Sequence, residues 1–420
     1  LCNEKEEAAY ILNDLEQLVG DQDVLFYPSS YRRPYQIEDT DNANVLLRSE
    51  VLNRLNSRKK PAIIVSYPEA IFEKVVTKKE LEKNTLKISV GDQVSIDFIN
   101  EVLFEYEFKR VDFITEPGEF SVRGGILDVF SFSNDNPYRI EFFGNEVDSI
   151  RTFDVATQLS IEKKNKIAII PNFENKFLQE NRESFLEYIN ARTTIFIQNT
   201  DLLLTHLDKL FSKAEETFEK LNKDIKHASP EQLFLNQKAF IKQALNFCVV
   251  ETASKPTFRT SETFEFHIKP QPSFNKQFDL LLNNLKDNQE HNYKNYLFCS
   301  NEQQAKRFHD IFESLDEQNH ETITKQYETI VLPLYQGFVD EENQIACYTD
   351  HQIFERYHKF SIKNGYSKKQ TITLKELTSL VVGDYVTHID HGIGKFGGLQ
   401  KIQVEGKTQE AIKLAYADND

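Results

Sequence analysis

Alternation of apolar and polar side chains between Gly118 and Asp154 is the feature that most constrains how this chain can fold. Successive side chains of a strand point to opposite faces, so this alternation predicts strands with one buried face and one polar face. The segment also contains residues that favour close turns, at Gly124-Gly125, Asn134 to Pro137 and Gly144-Asn145. Alternating segments joined by such turns predict an antiparallel meander.

The strand predicted from Tyr138 to Phe143 separates its side chains into two sets. The apolar set, which we expect in the core, is Tyr138, Ile140 and Phe142. The opposite set is Arg139, Glu141 and Phe143. An exposed aromatic residue beside arginine is typical of a protein-binding hot spot, and Arg123 on the neighbouring strand can join the set. The pattern leaves a second interpretation open, in which Phe143 is buried under a loop and the arginines are ordinary solvated charges.

Motifs for catalysis and metal binding are missing from the sequence. There is no G-x-x-x-x-G-K-[ST] phosphate-binding loop, no H-E-x-x-H and no G-x-S-x-G. The four cysteines are scattered without a C-x-x-C pair, which indicates reduced thiols and a cytoplasmic protein. His388-Ile-Asp-His391 is the tightest group of metal-ligand residues, and we interpret it as a turn between strands rather than a metal site. We therefore predict no catalytic residue, metal or cofactor here.

The charge balance favours protein over nucleic acid as the principal partner. The chain has 50 basic and 66 acidic residues, which give a net charge of −16. Binding to DNA without regard to sequence requires clustered positive charge. No apolar run approaches the roughly 18 residues of a membrane span, so we expect no membrane partner.

The length of 420 residues predicts three or four domains. Strands alternate with helical segments in residues 1–86 and 263–358, which predicts α/β structure. Residues 172–250 are predicted to be mainly helical, with Val249-Val250 as a candidate strand of the first α/β layer. The predicted helices cover residues 4–19, Thr200–Asp224, a segment from the capping box at Ser229 through Phe247, and a segment opened by a capping box at Ser300. Short strands are predicted in residues 87–171 and again in residues 377–420, after a linker at residues 359–376.

The predicted meander resembles a known module. It contains Glu116-Pro-Gly-Glu-Phe-Ser-Val-Arg-Gly-Gly-Ile-Leu-Asp-Val-Phe130, then Pro137-Tyr-Arg-Ile-Glu-Phe-Phe-Gly-Asn-Glu-Val-Asp-Ser-Ile-Arg151 and Phe153-Asp154. These motifs resemble the UvrA-binding module that UvrB shares with the bacterial transcription-repair coupling factors (Mfd). In that family two arginines and an aromatic residue contact UvrA. The resemblance assigns these roles to Arg123, Arg139 and Phe143.

A second motif distinguishes between those two families. Val382-Gly-Asp-Tyr-Val-Thr-His-Ile-Asp-His-Gly-Ile-Gly-Lys-Phe396, with Glu410-Ala-Ile-Lys-Leu-Ala-Tyr-Ala-Asp418, resembles the RNA-polymerase-interacting domain of the coupling factors and of CarD-type regulators. UvrB lacks this domain. The resemblance implies contact with the polymerase β subunit by strand addition at an exposed sheet edge. The candidate residues are Leu399, Ile402 and Val404, with Ile402 the first choice, and an alternative in which they form barrel core stays open.

The order of these modules implies a multidomain α/β architecture. A degenerate RecA-like layer homologous to UvrB is expected in residues 1–86 and 172–262, with the antiparallel β-rich UvrA-binding domain at residues 87–171 inserted into it. A small α/β domain at residues 263–358 and a linker at residues 359–376 follow. A truncated CarD/Tudor-like β domain is expected at residues 377–420.

The resemblance implies an adaptor that binds stalled RNA polymerase and recruits UvrA for nucleotide excision repair. Unlike UvrB, the chain lacks the phosphate-binding loop, and its Phe26–Pro34 stretch is short where UvrB has a DNA-clamping hairpin. The DNA translocase motor, with ATP, Mg²⁺ and most DNA contacts, is therefore expected beyond Asp420. Two alternatives are a UvrB-like damage-verification ATPase or helicase, and a transcription regulator that uses only the polymerase module.

Overall fold

The computed structural model describes residues 1–21, 23–30, 35, 42–57, 60–172, 181–221, 228–252, 256–260, 262–319, 327–356, 383–388, 392–404 and 407–416. The chain divides into two compact units, Leu1–Tyr366 and Ser367–Asp420. The helices are α1 (Lys5–Val19), α2 (Asn42–Ser57), α3 (Pro68–Phe72), α4 (Lys78–Lys83), α5 (Ile96–Glu105), α6 (Phe185–Tyr188), α7 (Thr200–Glu219), α8 (Pro230–Leu233), α9 (Gln237–Ala244), α10 (Phe278–Glu290), α11 (Glu302–Asn319) and α12 (Asp350–Ile353). The strands are β1 (Val24–Tyr27), β2 (Ile63–Ser66), β3 (Val75–Val76), β4 (Leu86–Ser89), β5 (Lys109–Arg110), β6 (Glu119–Arg123), β7 (Ile126–Val129), β8 (Tyr138–Phe143), β9 (Glu146–Phe153), β10 (Ser160–Lys163), β11 (Lys166–Ile169), β12 (Arg182–Glu183), β13 (Thr194–Ile197), β14 (Cys248–Glu251), β15 (Ile268–Pro270), β16 (Lys294–Cys299), β17 (Glu328–Val331), β18 (Phe338–Asp340), β19 (Ile345–Thr349), β20 (Tyr385–His388), β21 (Gly392–Val404) and β22 (Lys407–Ala415).

Two parallel strand pairs form the first α/β layer, and residues 1 and 2 join them. Strand β1 pairs with β2, and β13 pairs with β14. The N–H of Cys2 donates to the carbonyl of Ser66 at 2.9 Å, and the N–H of Gln198 donates to the carbonyl of Leu1 at 3.1 Å. Buried side chains of both pairs share one apolar core with α1, α2, α7 and α9. The α/β pattern predicted for these segments is confirmed, whereas their RecA-like character stays a prediction.

A buried ion pair ties together the loops at the carboxyl ends of β1 and β2. Nη1 of Arg48 lies 3.3 Å from Oε2 of Glu73, and both side chains are almost completely buried. The same nitrogen donates to the carbonyls of Pro28 and Ala70, at 2.9 and 3.0 Å. The Glu73 carboxylate accepts hydrogen bonds from the N–H and hydroxyl of Ser30, at 3.0 and 2.7 Å. Each charge in this cluster therefore has hydrogen-bonding partners inside the core.

The predicted antiparallel meander is confirmed as part of a six-stranded sheet in the order β10-β9-β8-β7-β6-β5. Strands β6 to β9 are antiparallel neighbours, and β5 joins β6 in parallel. The chain enters the module through β4 and leaves it through β11, which pair with each other so that Leu86 lies opposite Ile169. One face of the sheet is covered by α5, and the opposite face carries the polar side chains.

Helix α5 lies within residues 87–171, where the sequence predicts short strands and turns but no helix was identified. The hydroxyl of Ser95 accepts a hydrogen bond from the N–H of Phe98 at 3.2 Å and caps the start of the helix. Ile99 and Leu103 are separated by one helical turn, and both are buried in the core of the module. Packing against the apolar face of the sheet therefore stabilises a helix in a segment whose neighbours are strands.

The helix predicted from Ser229 through Phe247 is divided into two. The predicted capping box is confirmed at Ser229, where α8 begins. Its continuation through Phe247 is wrong, because α8 ends after one turn and Asn236 caps the separate helix α9. Between the helices, the N–H of Leu235 donates to the carbonyl of Phe72 at 2.8 Å. A tertiary contact with α3 thus holds this part of the chain extended.

A five-stranded sheet in the order β15-β18-β19-β16-β17 forms the second α/β part. Strands β19, β16 and β17 are parallel, whereas β15 and β18 form an antiparallel edge. The capping box predicted at Ser300 is wrong, since Asn301 caps α11 by accepting from the N–H of Gln304 at 3.0 Å. The Ser300 hydroxyl instead donates to Asp350 at 2.6 Å. Four apolar side chains of α11 lie in or against the core of this part: Phe308, Ile311, Phe312 and Leu315.

The unit Ser367–Asp420 contains an antiparallel sheet in the order β20-β21-β22. This confirms the β structure predicted there, while the CarD/Tudor-like character stays a prediction. The linker predicted at residues 359–376 lies outside the described residues. Among the helices within the described ranges, none combines the length and apolar composition needed to cross a membrane.

Replacing Glu73 by alanine should lower the free energy of unfolding of the first α/β layer by about 3–5 kcal/mol, because the buried Arg48 would lose its carboxylate. Urea unfolding followed by circular dichroism measures this change. Glu82→Ala on α4 is the matched control, because Glu82 is exposed. We expect the control to change stability by less than about 0.5 kcal/mol. Equal effects of the two substitutions would contradict the importance of the ion pair.

Candidate protein-binding surface

Two hairpin turns lie side by side at one end of the six-stranded sheet. Arg123 is the last residue of β6, and Phe143 is the last residue of β8. The N–H of Phe142 donates to the carbonyl of Gly125 at 2.8 Å, which joins the two turns. The glycines that directly follow Arg123 and Phe143 have φ angles of +60° and +63°. Glycine adopts this left-handed conformation without steric cost, so the tight turns bring both side chains to the same end of the sheet.

The two faces of β8 carry the side chains that the alternation predicts. Tyr138 and Ile140 are buried in the core of the module. Phe143 is 84% exposed, so the interpretation that places it under a loop is wrong. The register shifts between Glu141 and Phe142, which marks an irregularity at the end of the strand. A large aromatic ring thus lies in solvent beside the polar face.

Asp128 holds both predicted arginines on that face. Its side chain is 2% exposed, and its Oδ2 accepts a hydrogen bond from Nη2 of Arg123 at 2.5 Å. Arg139 donates to the same carboxylate from Nε at 2.7 Å and from Nη2 at 2.8 Å. Asp128 lies directly opposite Arg139 in the β7–β8 register. One buried carboxylate on β7 therefore fixes two guanidinium groups, one on each of the flanking strands β6 and β8.

The two arginines differ in how much of each side chain a partner can reach. The Arg139 side chain is 15% exposed, and its guanidinium lies over the ring of Phe153 at 4.3 Å. Nη2 of Arg139 also donates to Oε1 of Gln158 at 3.2 Å. Its hydrogen bonds to Asp128 raise the pKa of the Arg139 guanidinium. The Arg123 side chain is 42% exposed, so Arg123 presents more of its charge to a partner.

A second ion pair extends the polar face toward β9. The Glu141 carboxylate accepts hydrogen bonds from the Ser149 hydroxyl at 2.7 Å and from Arg151. The hydrogen bond from Ser149 is the largest cause of the lowered pKa of Glu141, and the charge of Arg151 adds to it. The face thus combines guanidinium groups, two carboxylates and an exposed aromatic ring, which is a composition suited to binding protein.

Asp128 and Arg151 are the functional candidates that the sequence alone did not single out. Asp is uncommon within strands. Asp128 in the apolar strand β7 therefore indicated that its carboxylate pairs with a basic side chain of the sheet. Arg151 lies directly opposite Arg139 in the β8–β9 register, which only the strand pairing reveals.

The candidate polymerase contacts lie on β21. Leu399, Ile402 and Val404 pair with Ile412, Gln409 and Lys407 of β22, respectively. Their side chains are outside the described part of the structure, so both interpretations of them stay open.

The structure describes only part of the possible metal-ligand group at His388. His388 belongs to β20, whereas Asp390 and His391 lie outside the described residues. In the ranges that the structure describes, no group of three or more His, Cys, Asp or Glu side chains is arranged to hold a metal ion.

Comparison with known proteins identifies two domain families within the chain. The family described as the UvrB interaction domain matches residues 86–174, a range that contains the polar face. The family described as the CarD-like/TRCF RID domain matches residues 380–420. These matches lie in the same order as the two modules predicted from the sequence motifs.

The chain is also similar over nearly its whole length to proteins named transcription-repair-coupling factor. The Bacillus subtilis (strain 168) protein is 24% identical over 486 residues, covering 99% of this chain and 41% of the relative. The Haemophilus influenzae protein is 25% identical over 460 residues, covering 95% of this chain and 40% of the relative. The Rickettsia conorii protein is 26% identical over 483 residues, covering 100% of this chain and 42% of the relative. The chain thus spans about two fifths of the length of these relatives, and the predicted resemblance is confirmed.

Asp128→Asn should lower the free energy of unfolding of the module by about 2–4 kcal/mol, because two guanidinium groups lose the charge between them. Thermal unfolding followed by circular dichroism measures the effect. Asp148→Asn on β9 is the control, since Asp148 is exposed. If both substitutions shift the unfolding temperature equally, Asp128 does not organise the face.

Proposed function

We propose that this chain is an adaptor in transcription-coupled DNA repair, which binds RNA polymerase and recruits UvrA for nucleotide excision repair. The observation that carries the proposal is the exposed ring of Phe143 on the same sheet as two arginines that Asp128 holds, within the match to the UvrB interaction domain. The proposed UvrA contacts are Arg123, Arg139 and Phe143.

The physical chemistry of the face supports a protein partner. Hot spots are enriched in aromatic residues and arginine, which bury large areas and donate several hydrogen bonds. Asp128 restrains Arg123 and Arg139 before binding, so less side-chain entropy is lost when a partner docks. The exposed Arg123 can also donate to a carboxylate of the partner. We therefore assign acidic and apolar side chains to the complementary surface of UvrA.

The proposed polymerase contact lies on β21. Strand β20 pairs with residues Gly392 to Lys395 of β21, whereas β22 pairs with β21 from Lys395 to Val404. Among the strands that the structure describes, β22 alone pairs with residues 399–404. A strand edge of this kind supports strand addition by a partner, which we propose to be the β subunit of RNA polymerase.

The chemical steps of such a repair factor are proposed to lie outside these 420 residues. We assign ATP and Mg²⁺ binding, ATP hydrolysis, DNA translocation and most DNA contacts to the part of the relatives that this chain does not match. The absence of a G-x-x-x-x-G-K-[ST] motif in the chain supports this assignment. We also propose that the adaptor works in the cytoplasm. Measurable ATP hydrolysis by this chain would instead favour a UvrB-like damage-verification ATPase.

Phe143→Ala should weaken UvrA binding about 30-fold or more, because truncating a central aromatic contact costs about 2 kcal/mol. Isothermal titration calorimetry with purified UvrA measures the dissociation constant. The double variant Arg139→Ala, Phe143→Ala should raise the dissociation constant further than Phe143→Ala alone. Its circular dichroism spectrum shows whether the fold is retained. If folded variants bind UvrA as tightly as the unaltered chain, the contact lies elsewhere.

Ile402→Glu should weaken binding to RNA polymerase about tenfold or more, because a charge would replace an apolar contact. Binding is measured by biolayer interferometry with the polymerase immobilised. The UvrA and polymerase variants control for each other, since Phe143→Ala should leave polymerase binding unchanged and Ile402→Glu should leave UvrA binding unchanged. Loss of the β sheet in Ile402→Glu, seen in its circular dichroism spectrum, would favour the barrel-core interpretation.

A further inference from the structure

Phe113 is an exposed aromatic residue that none of the proposed contacts includes. It follows β5 and is 63% exposed. The guanidinium of Arg123 lies over its ring, 5.3 Å from the ring centroid. Cation–π contact of this kind aligns the planar guanidinium with the ring. Arg123 is thus held from two directions, by the carboxylate of Asp128 and by the ring of Phe113.

The backbone around Phe113 is anchored on both sides. Before it, the N–H of Val111 donates to the carbonyl of Phe120 at 2.9 Å, and the carbonyl of Asp112 accepts from the Ser121 hydroxyl at 3.0 Å. After it, Ile114 is buried in a small apolar cluster with two phenylalanines, Phe130 and Phe153. An exposed ring on a fixed segment can bind a partner with little loss of entropy.

The loop that follows Phe113 is fixed by a carboxylate. Oε2 of Glu119 accepts from the N–H and hydroxyl of Thr115 at 2.7 and 3.0 Å, and from the N–H of Glu116 at 3.0 Å. Glu119 is itself buried. The segment between β5 and β6 therefore presents Phe113 from a hydrogen-bonded loop.

We propose that Phe113 is a second aromatic contact for UvrA, on the opposite side of Arg123 from Phe143. This inference rests on the proposed function of the polar face. In the strand order β5-β6-β7-β8, Phe113 follows β5, Arg123 ends β6 and Phe143 ends β8. Three strand spacings correspond to about 14 Å, so both rings fit within one protein interface of about 800 Å² on each partner.

Phe113 and Arg123 together form a subsite that selects for one kind of partner side chain. Arg123 uses Nη2 for Asp128, and within the described part of the chain its other nitrogen atoms have no hydrogen-bond acceptor. A carboxylate of a UvrA side chain can accept hydrogen bonds from these nitrogens, while the methylene groups of the same side chain pack on the Phe113 ring. Acidic side chains with methylene groups are therefore the partner chemistry that this subsite fits.

The test compares Phe113→Ala with Phe98→Ala in calorimetric titrations with UvrA. Phe98 is the matched control, because it is also exposed, at 51%, but belongs to α5 on the other face of the sheet. We expect Phe113→Ala to raise the dissociation constant about tenfold and Phe98→Ala to change it less than about twofold. Phe113→Leu, which keeps an apolar side chain without the ring, should fall between the unaltered chain and Phe113→Ala.

A double-variant cycle tests whether Phe113 and Arg123 contribute to UvrA binding through one subsite. Phe113→Ala and Arg123→Ala together should raise the dissociation constant by less than the product of their separate effects, because they act on one subsite. The proposal is overturned if Phe113→Ala binds like the unaltered chain while Phe143→Ala binds weakly, and the UvrA-binding function then stands. If the unaltered chain does not bind UvrA, both proposals are wrong.

Discussion

A single buried carboxylate, Asp128, determines how the polar face of the six-stranded sheet is arranged. Without it, the guanidinium groups of Arg123 and Arg139 would repel each other across β7, and their long side chains would be free to sample many rotamers. With it, one negative charge lies between two positive charges, and three guanidinium nitrogens donate hydrogen bonds to it. The exposed ring of Phe113 lies under the fixed guanidinium of Arg123, and the exposed ring of Phe143 lies at the same end of the sheet.

The sheet and its exposed face were largely predictable from sequence, because side-chain alternation is a local property of a strand. The positions of Arg139 and Phe143 on one face follow from a period of two residues. The partners of those side chains were not predictable in the same way. Asp128 and Arg139 lie on consecutive strands, and only the β7–β8 register makes them direct neighbours. The same applies to Arg151, which depends on the β8–β9 register.

Two predictions about helices, the end of the helix that begins after Ser229 and the capping residue at Ser300, were wrong for a related reason. A capping box at Ser229 correctly marked the start of α8, yet the length of that helix depends on the hydrogen bond from Leu235 to Phe72, far away in sequence. The Ser300 hydroxyl donates to Asp350, and the neighbouring Asn301 caps α11 in its place. Local signals therefore indicate that a helix begins, while distant side chains set which residue caps it and where it ends.

The pairing of β4 with β11 brings together the two points at which the module is connected to the rest of the chain. Paired residues of antiparallel strands lie about 4.5–5.5 Å apart, so the two covalent connections of the module at Leu86 and Ile169 are neighbours. A force between the module and the rest of the chain would therefore act on both connections at one corner of the module. The same closeness means that the module can be excised, or its ends joined by a short loop, without spanning the sheet.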